Sequence, residues 1–239
     1  MLSANPLRAL DPVRRAKLSL RISLIGPLTL AFLLLGAIRP SYADGIALEV
    51  MGGSAVNFPS SLVVRQYGFP AIRVSGASYE TRPFGPDFPY YAWRLSYWRG
   101  TGAWELEHIH HRLFLTNPPP EIEFFAVHFG YNYLLLGRAW KHNGFVYRIG
   151  AGPIVTNPES TVRGRRFRSA SSFLDVSNGF SGIGTRVAVG RDLHLTDHFY
   201  LLGEASFTAG FAWRVPVADG SANVPNRALH GHLGVGVNF

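Results

Sequence analysis

The densest run of reactive side chains in this 239-residue chain is Glu105-Leu106-Glu107-His108-Ile109-His110-His111-Arg112. Histidines beside a carboxylate suit zinc, and a histidine–glutamate pair suits acid–base chemistry. Glu105, Glu107, His108, His110 and, further on, His128 are therefore the candidate catalytic residues. Arg112, Asn132, Arg148, Arg186, His230 and His232 are candidates for a polar network around them. A structural reading of the same residues is preferred, because buried polar groups must find partners whether or not they do chemistry. No metal and no cofactor is expected. Glycines such as Gly182, Gly184, Gly234 and Gly236 lack phosphate-loop spacing and sit inside strand-like alternation.

The elements that would carry these residues alternate with the period of a strand. Strand-like stretches fall at about 45–56, 60–67, 70–80, 89–99, 103–115, 121–136, 143–155, 180–191, 198–214 and 226–239. Tyr91, Trp93, Leu95 and Tyr97 share one face against Ala92, Arg94 and Ser96. Phe125, Val127, Phe129, Tyr131, Tyr133 and Leu135 oppose Ala126, His128, Gly130 and Asn132. One face is greasy and the other holds Gly, Arg, His and Asn, which suits a wall between lipid and a narrow polar lumen. Apolar Ile109, Leu113 and Leu115 break parity with Trp104 and Leu106. A bulge near Glu107–His108 is expected to restore it, so that Glu105, Glu107 or His108, His110 and Arg112 all point inward and His108 lies opposite His128. The next turn would set Asn132 opposite Arg148.

The amino terminus has the pattern of a secretion signal. Arg8, Arg14, Arg15, Lys17 and Arg21 precede an apolar run from Ile22 to Ile38, and Ser41-Tyr42-Ala43 is a small-x-small cleavage site. Residues 1–43 are expected to be removed, leaving one domain, 44–239. That segment takes six of the 23 basic and one of the 15 acidic residues, so the remainder carries a net charge of +3. The basic balance of the full chain is thus no argument for nucleic acid. The chain has no cysteine to staple a fold or carry a lipid anchor.

From Leu229 to Phe239 the last stretch alternates strictly, with Leu229, Leu233, Val235, Val237 and Phe239 on one face. It resembles the closing strand of small bacterial outer-membrane β-barrels of the OmpA and OmpW types, a resemblance that covers everything after the signal. It implies an all-β, antiparallel transmembrane barrel in the outer membrane of a Gram-negative bacterium, read through Phe239 by the barrel-insertion machinery. Single-chain barrels need an even strand number; ten is favoured if 60–67 crosses, and eight is the alternative. The longest connections, 156–179 and 215–225, then share the outer side. Arg163, Arg165, Arg166 and Arg168 in the first of these are expected to contact lipopolysaccharide phosphates.

The role expected is structural, or a narrow solute channel. The alternative is a lipid A- or lipopolysaccharide-modifying enzyme centred on His108, His110, His128 and Glu105 or Glu107. Lipid A deacylases use a His-x-Ser pair on one strand. Here the corresponding windows read His108-Ile109-His110, His128-Phe129-Gly130 and His230-Gly231-His232, so that family's residues do not carry over. A soluble lipocalin-like barrel is the third possibility.

Overall fold

A computed structural model describes residues 44–84, 89–169 and 180–239. The expected signal segment lies outside them. The strands are β1 (Gly45–Phe58), β2 (Ser60–Gln66), β3 (Ile72–Ala77), β4 (Tyr79–Glu80), β5 (Tyr91–Arg99), β6 (Gly102–Leu115) and β7 (Ile122–His142). They continue as β8 (Phe145–Thr156), β9 (Glu159–Val162), β10 (Arg165–Arg168), β11 (Phe180–His194), β12 (Phe199–Val217) and β13 (Gly220–Asn238). Every ladder is antiparallel, and the order β7-β8-β11-β12-β13-β1-β5-β6 closes on itself through β6–β7. Closure leaves no edge, so backbone groups are satisfied in hydrocarbon as in water.

The ring among the described residues has eight strands, not the favoured ten. β2 has only seven residues and pairs with just the first four residues of β13, Gly220–Asn223. It folds back on β3 as a hairpin at the rim instead of crossing the wall. β9 and β10 form a second rim hairpin against the start of β7. Both lie at the end of the ring opposite Asp44 and Phe239, here called the distal end.

The register fixes the ring's geometry. Val237, Leu48, Leu95, Leu106, Leu136, Ala151, Thr185 and Ala209 are successive neighbours in one outward row. The row returns to β13 at Arg227, ten residues from its start. An eight-strand barrel staggered this way has strands tilted by roughly 35–45° and an interior that side chains can fill. A tilted strand needs about 9–11 residues to cross a bilayer. β7, β12 and β13 have 21, 19 and 19, so they stand well proud of that length.

Outside, Val50, Leu95, Leu106, Leu136, Ile149, Ile183, Val187, Leu229, Leu233 and Val235 are exposed and form a continuous apolar belt. Exposed Tyr97, Trp104, Trp140 and Tyr147 cluster toward the end that holds the termini. Inside, the filling changes character with height. A small apolar floor of Ala47, Trp98, Ala103, Ala139 and Val146 lies nearest the termini. Charged and then histidine-bearing layers follow. The distal lumen is again apolar, with Leu62, Ile109, Leu113, Tyr131, Tyr133, Ile154 and Val224 buried together.

Tyr131 and Tyr133 fit there because the facing strands offer glycine. A Cβ on Gly184 would lie 2.5 Å from the Tyr133 ring, and one on Gly210 would lie 2.8 Å from its hydroxyl. The aromatic face of 125–135 therefore fills the lumen, where the sequence reading had it facing lipid.

Candidate functional site

The charged layer is built from inward residues of six of the eight ring strands. Arg94 on β5 is fully buried and donates to Glu49 on β1, to Glu107 on β6 at 2.7 Å and to Glu204 on β12 at 3.0 Å. Arg148 on β8 reaches Glu204 at 2.9 Å and Glu105 at 3.2 Å. Arg186 on β11 binds Glu204 and lies 2.9 Å from Glu107. Three guanidiniums thus share four carboxylates across the lumen. Tyr200 adds a hydroxyl donated to Glu49 at 2.9 Å, and Ser96 one to Glu105 at 3.1 Å. Planar, multi-donor guanidinium suits such sharing better than ammonium.

Above it sits a histidine layer. The Tyr90 hydroxyl is hydrogen-bonded to His230 Nδ1 (2.7 Å) and His232 Nε2 (2.8 Å). The other nitrogen of His230 meets Thr208 Oγ1 at 2.8 Å. His111 crosses His230 edge-on with ring centroids 4.9 Å apart, and its Nε2 meets Thr81 at 3.0 Å. His232 Nδ1 is 3.7 Å from Glu204, which joins the two layers.

The rest of the expected centre lies on the other side of the wall. β6 keeps one alternation from Ala103 to His111, so Glu105 and Glu107 point inward while His108 and His110 share the outward row of Trp93 and Tyr91. The expected inversion at Glu107–His108 is absent; the register slips later, between His111 and Leu113. His108 pairs with Leu134 and His110 with Asn132, not with His128. Asn132 pairs with Val155, whereas Arg148 pairs with Ala139 and Ala188. Asn132 and Arg112 therefore leave the proposed lumen network. The reason is the apolar distal lumen: Ile109 and Leu113 are its filling, and parity turns the alternate positions His108, His110 and Arg112 away from it.

On that outer face Asn132 Oδ1 accepts from His110 Nδ1 (2.9 Å) and His108 Nε2 (3.3 Å). Tyr91 stacks on His110 at 4.9 Å, and Trp93 on His108 at 5.7 Å. Arg112 donates to the carbonyls of His128 (3.3 Å) and Arg82 (3.2 Å). His128 lies among Phe114, Phe124 and Phe129 with Nε2 3.6 Å from Glu159. A site joining His108 and His110 to Glu105 and Glu107 would have to act through the barrel wall. No cluster of three or more metal-binding His or carboxylate groups occurs among the described residues.

Gly130 holds this outer cluster. Its φ is +128°, and a Cβ there would lie 2.1 Å from the Asn132 amide nitrogen. Gly130→Ala is expected to cost about 1–3 kcal/mol through that backbone conformation and to release both imidazoles from Asn132. Urea unfolding and histidine side-chain NMR check the two effects; unchanged imidazole signals would contradict the geometry.

The loop arginines have partners within the chain. Arg163 donates to Gln66 Oε1 (3.0 Å) and the Pro70 carbonyl (2.9 Å), stitching the β9–β10 hairpin to β2–β3. Arg165 pairs with Asp219 at 2.6 Å and Arg166 with Glu159 at 2.7 Å. Arg168 lies 3.9 Å from the same Glu159 and over the Phe129 ring.

Glu49, Glu204, Tyr90 and His111 are the residues that sequence reasoning did not select. A signal for the first two was present. Three inward arginines on β5, β8 and β11 require buried carboxylates; Glu49 is the one charged residue of β1 and Glu204 the one acidic residue of β12, sharing faces with buried Ala47 and Leu202 respectively.

No protein-family model and no curated protein sequence matches the chain. Among solved structures it is similar to Neisserial surface protein A (12% identity, TM-score 0.38, covering 83% of this chain and all of that one). It is likewise similar to the attachment invasion locus protein Ail of Yersinia pestis (13%, 0.40, 82% and 100%) and OprG of Pseudomonas aeruginosa (14%, 0.41, 83% and 98%). These are small bacterial outer-membrane β-barrels, the kind the sequence resembles. The barrel itself rests on the closed ring of ladders described above.

Proposed function

We propose that the chain is an integral barrel of a bacterial outer membrane, its distal end outside, and that its role is structural rather than conductive. The apolar belt supports the membrane reading: an exposed band of this extent has no place on a monomer in water. The charged layer carries the choice of role. Glu49, Arg94, Glu105, Glu107, Arg148, Arg186 and Glu204 are all nearly inaccessible to solvent and bridge the lumen from wall to wall. Above them the lumen is filled with apolar side chains. A solute would have to displace both.

Refolded into planar bilayers, the protein is expected to give leak-level current only. Reproducible single-channel steps from the wild type would overturn the closed-lumen reading and restore the narrow channel.

The outward His108–His110–Asn132 cluster favours a second reading, chemistry on a membrane lipid. Polar groups on the outer row of a barrel wall are expensive and tend to be functional, and these three are buried. Mass spectrometry of lipid A from cells expressing wild type or His110→Ala tests it, and identical acyl and head-group patterns would remove it.

A further inference from the structure

The distal rim divides its arginines into two sets. Arg165, Arg166 and Arg168 of the β9–β10 hairpin and Arg82 have carboxylates of this chain beside them, namely Asp219, Glu159 and Glu80, while Arg163 is held by Gln66 and the Pro70 carbonyl. A second set, Arg65 on β2, Arg73 on β3, Arg214 on β12 and Arg227 on β13, is exposed and has no ion pair among the described residues.

Register places the four on one flank. Arg73 pairs with Val63, which pairs with Asn223 on β13. Beside Asn223 the β12 ladder slips between Ala212 and Val215, and at this bulge both Trp213 and Arg214 are exposed. Arg214 takes a φ of +58° there. Arg65 pairs with Ser221, one pleat further from the barrel. Arg227 lies between Ala209 and Phe58, with Nη2 3.4 Å from the Pro59 carbonyl. The outward positions among them are Val63, Ser221, Asn223 and Pro225, and none is acidic. Four like charges share this flank, and among the described residues none of them has an ion pair.

The strip beneath them is greasy. Phe58 and Phe207 approach with ring centroids 6.2 Å apart, and Phe211 and Trp213 with centroids 6.0 Å apart. Leu229 and Val56 extend the strip toward the belt. Arg65, Arg73 and Arg214 stand at or beyond the level of the rings, and Arg227 stands among them, distal to Phe207 and Leu229 and next to Phe211 at Pro225; a lipid likewise presents phosphate beside and above acyl chain. Guanidinium matches phosphate with paired donors, and long arginine stems can lie along apolar surface with the head in water.

We infer that this flank is a docking surface for a phosphorylated glycolipid of the leaflet at the distal end. Arg65, Arg73, Arg214 and Arg227 take the phosphates, and the acyl chains lie on Phe58, Phe207, Phe211 and Trp213. The inference rests on the outer-membrane reading above, and it moves the lipid contact from the hairpin arginines to the wall.

The test uses the full chain in two stages. Insertion into neutral phosphatidylcholine vesicles, scored by protease protection, examines the membrane reading by itself; failure there overturns both proposals. Native mass spectrometry from neutral detergent then measures binding of bisphosphorylated lipid A and of the same lipid with its phosphates removed. Wild type is expected to prefer the phosphorylated form. The quadruple variant R65Q/R73Q/R214Q/R227Q is expected to bind it at least about tenfold more weakly, as four exposed ion pairs together would give. R165Q/R166Q is expected to bind like wild type. The four single variants, checked for heat-modifiable migration, replace the quadruple if it does not fold, each showing a partial loss. Inserted wild type with no preference for phosphate, or a folded quadruple variant with unchanged affinity, would overturn the surface while leaving the barrel standing. Competition by millimolar inorganic phosphate would do the same, by showing a free-anion site.

Discussion

Arg94→Met is expected to destabilise the barrel by about 3–5 kcal/mol, the cost of leaving buried carboxylates without their cation. Arg94 touches Glu49, Glu107 and Glu204, with Glu105 at 3.7 Å, and is itself fully buried. Its loss leaves Arg148 and Arg186 facing four carboxylates in a space that excludes water. The prediction concerns breaking the network, not its net worth. Replacing a whole buried ion cluster with well-packed apolar groups is often neutral or stabilising, whereas removing one partner is not. Glu49→Gln in the Arg94→Met background is therefore expected to recover part of the loss, because it withdraws one of the uncompensated charges. Urea unfolding in phospholipid vesicles, followed by tryptophan fluorescence and heat-modifiable migration, measures both effects. A loss below about 1 kcal/mol, the range of solvated surface pairs, would mean water reaches the layer. The closed-lumen reading would fall with it, so this variant and the conductance test examine the same claim from two sides.

Much of the wall is legible in the sequence because parity is unambiguous wherever one face is all apolar. Tyr91 to Tyr97, Ile183 to Val189 and Leu229 to Val237 face outward as alternation requires, and Arg94, Arg148 and Arg186 face inward. Legibility ends on β6 and the distal half of β7, where both faces carry groups that a barrel can place on either side. There the rule of greasy outside and polar inside reverses: Ile109, Leu113, Tyr131 and Tyr133 fill the lumen, while His108, His110 and Asn132 lie outside. A bulge at Glu107–His108, needed to keep the rule constant, turns both His110 and Arg112 inward, since a one-residue slip exchanges the faces of everything beyond it; in the structure neither joins the lumen network. The information that corrects this is non-local. Tyr133 belongs inside because Gly184 and Gly210, on strands distant in sequence, leave room for it. The strand count was ambiguous for a related reason, since seven apolar-alternating residues at 60–66 fit a rim hairpin as well as a short crossing.

Neighbouring substitutions on β6 separate the two placements. Ile109 is buried, pairs with Ala92 and Tyr133, and belongs to the distal core with Leu113 and Tyr131. Ile109→Asn is expected to cost roughly 3–5 kcal/mol, combining lost apolar packing with an amide buried away from water. His110→Leu is on the outward row next to Tyr91, and Asn132 retains its bond from His108. Its cost is expected to be the smaller of the two, since it removes the bond to Asn132 and the Tyr91 stack without opening the distal core. The bulged register expected from sequence alone makes the opposite forecast. With Ile109 against lipid, asparagine there would perturb membrane insertion, and His110→Leu would cut into a lumen network. Unfolding free energies of the two variants in the same vesicles decide between them. If His110→Leu proves the costlier, the polarity reversal along β6 is wrong, and the His108–His110–Asn132 cluster loses its place on the outward row.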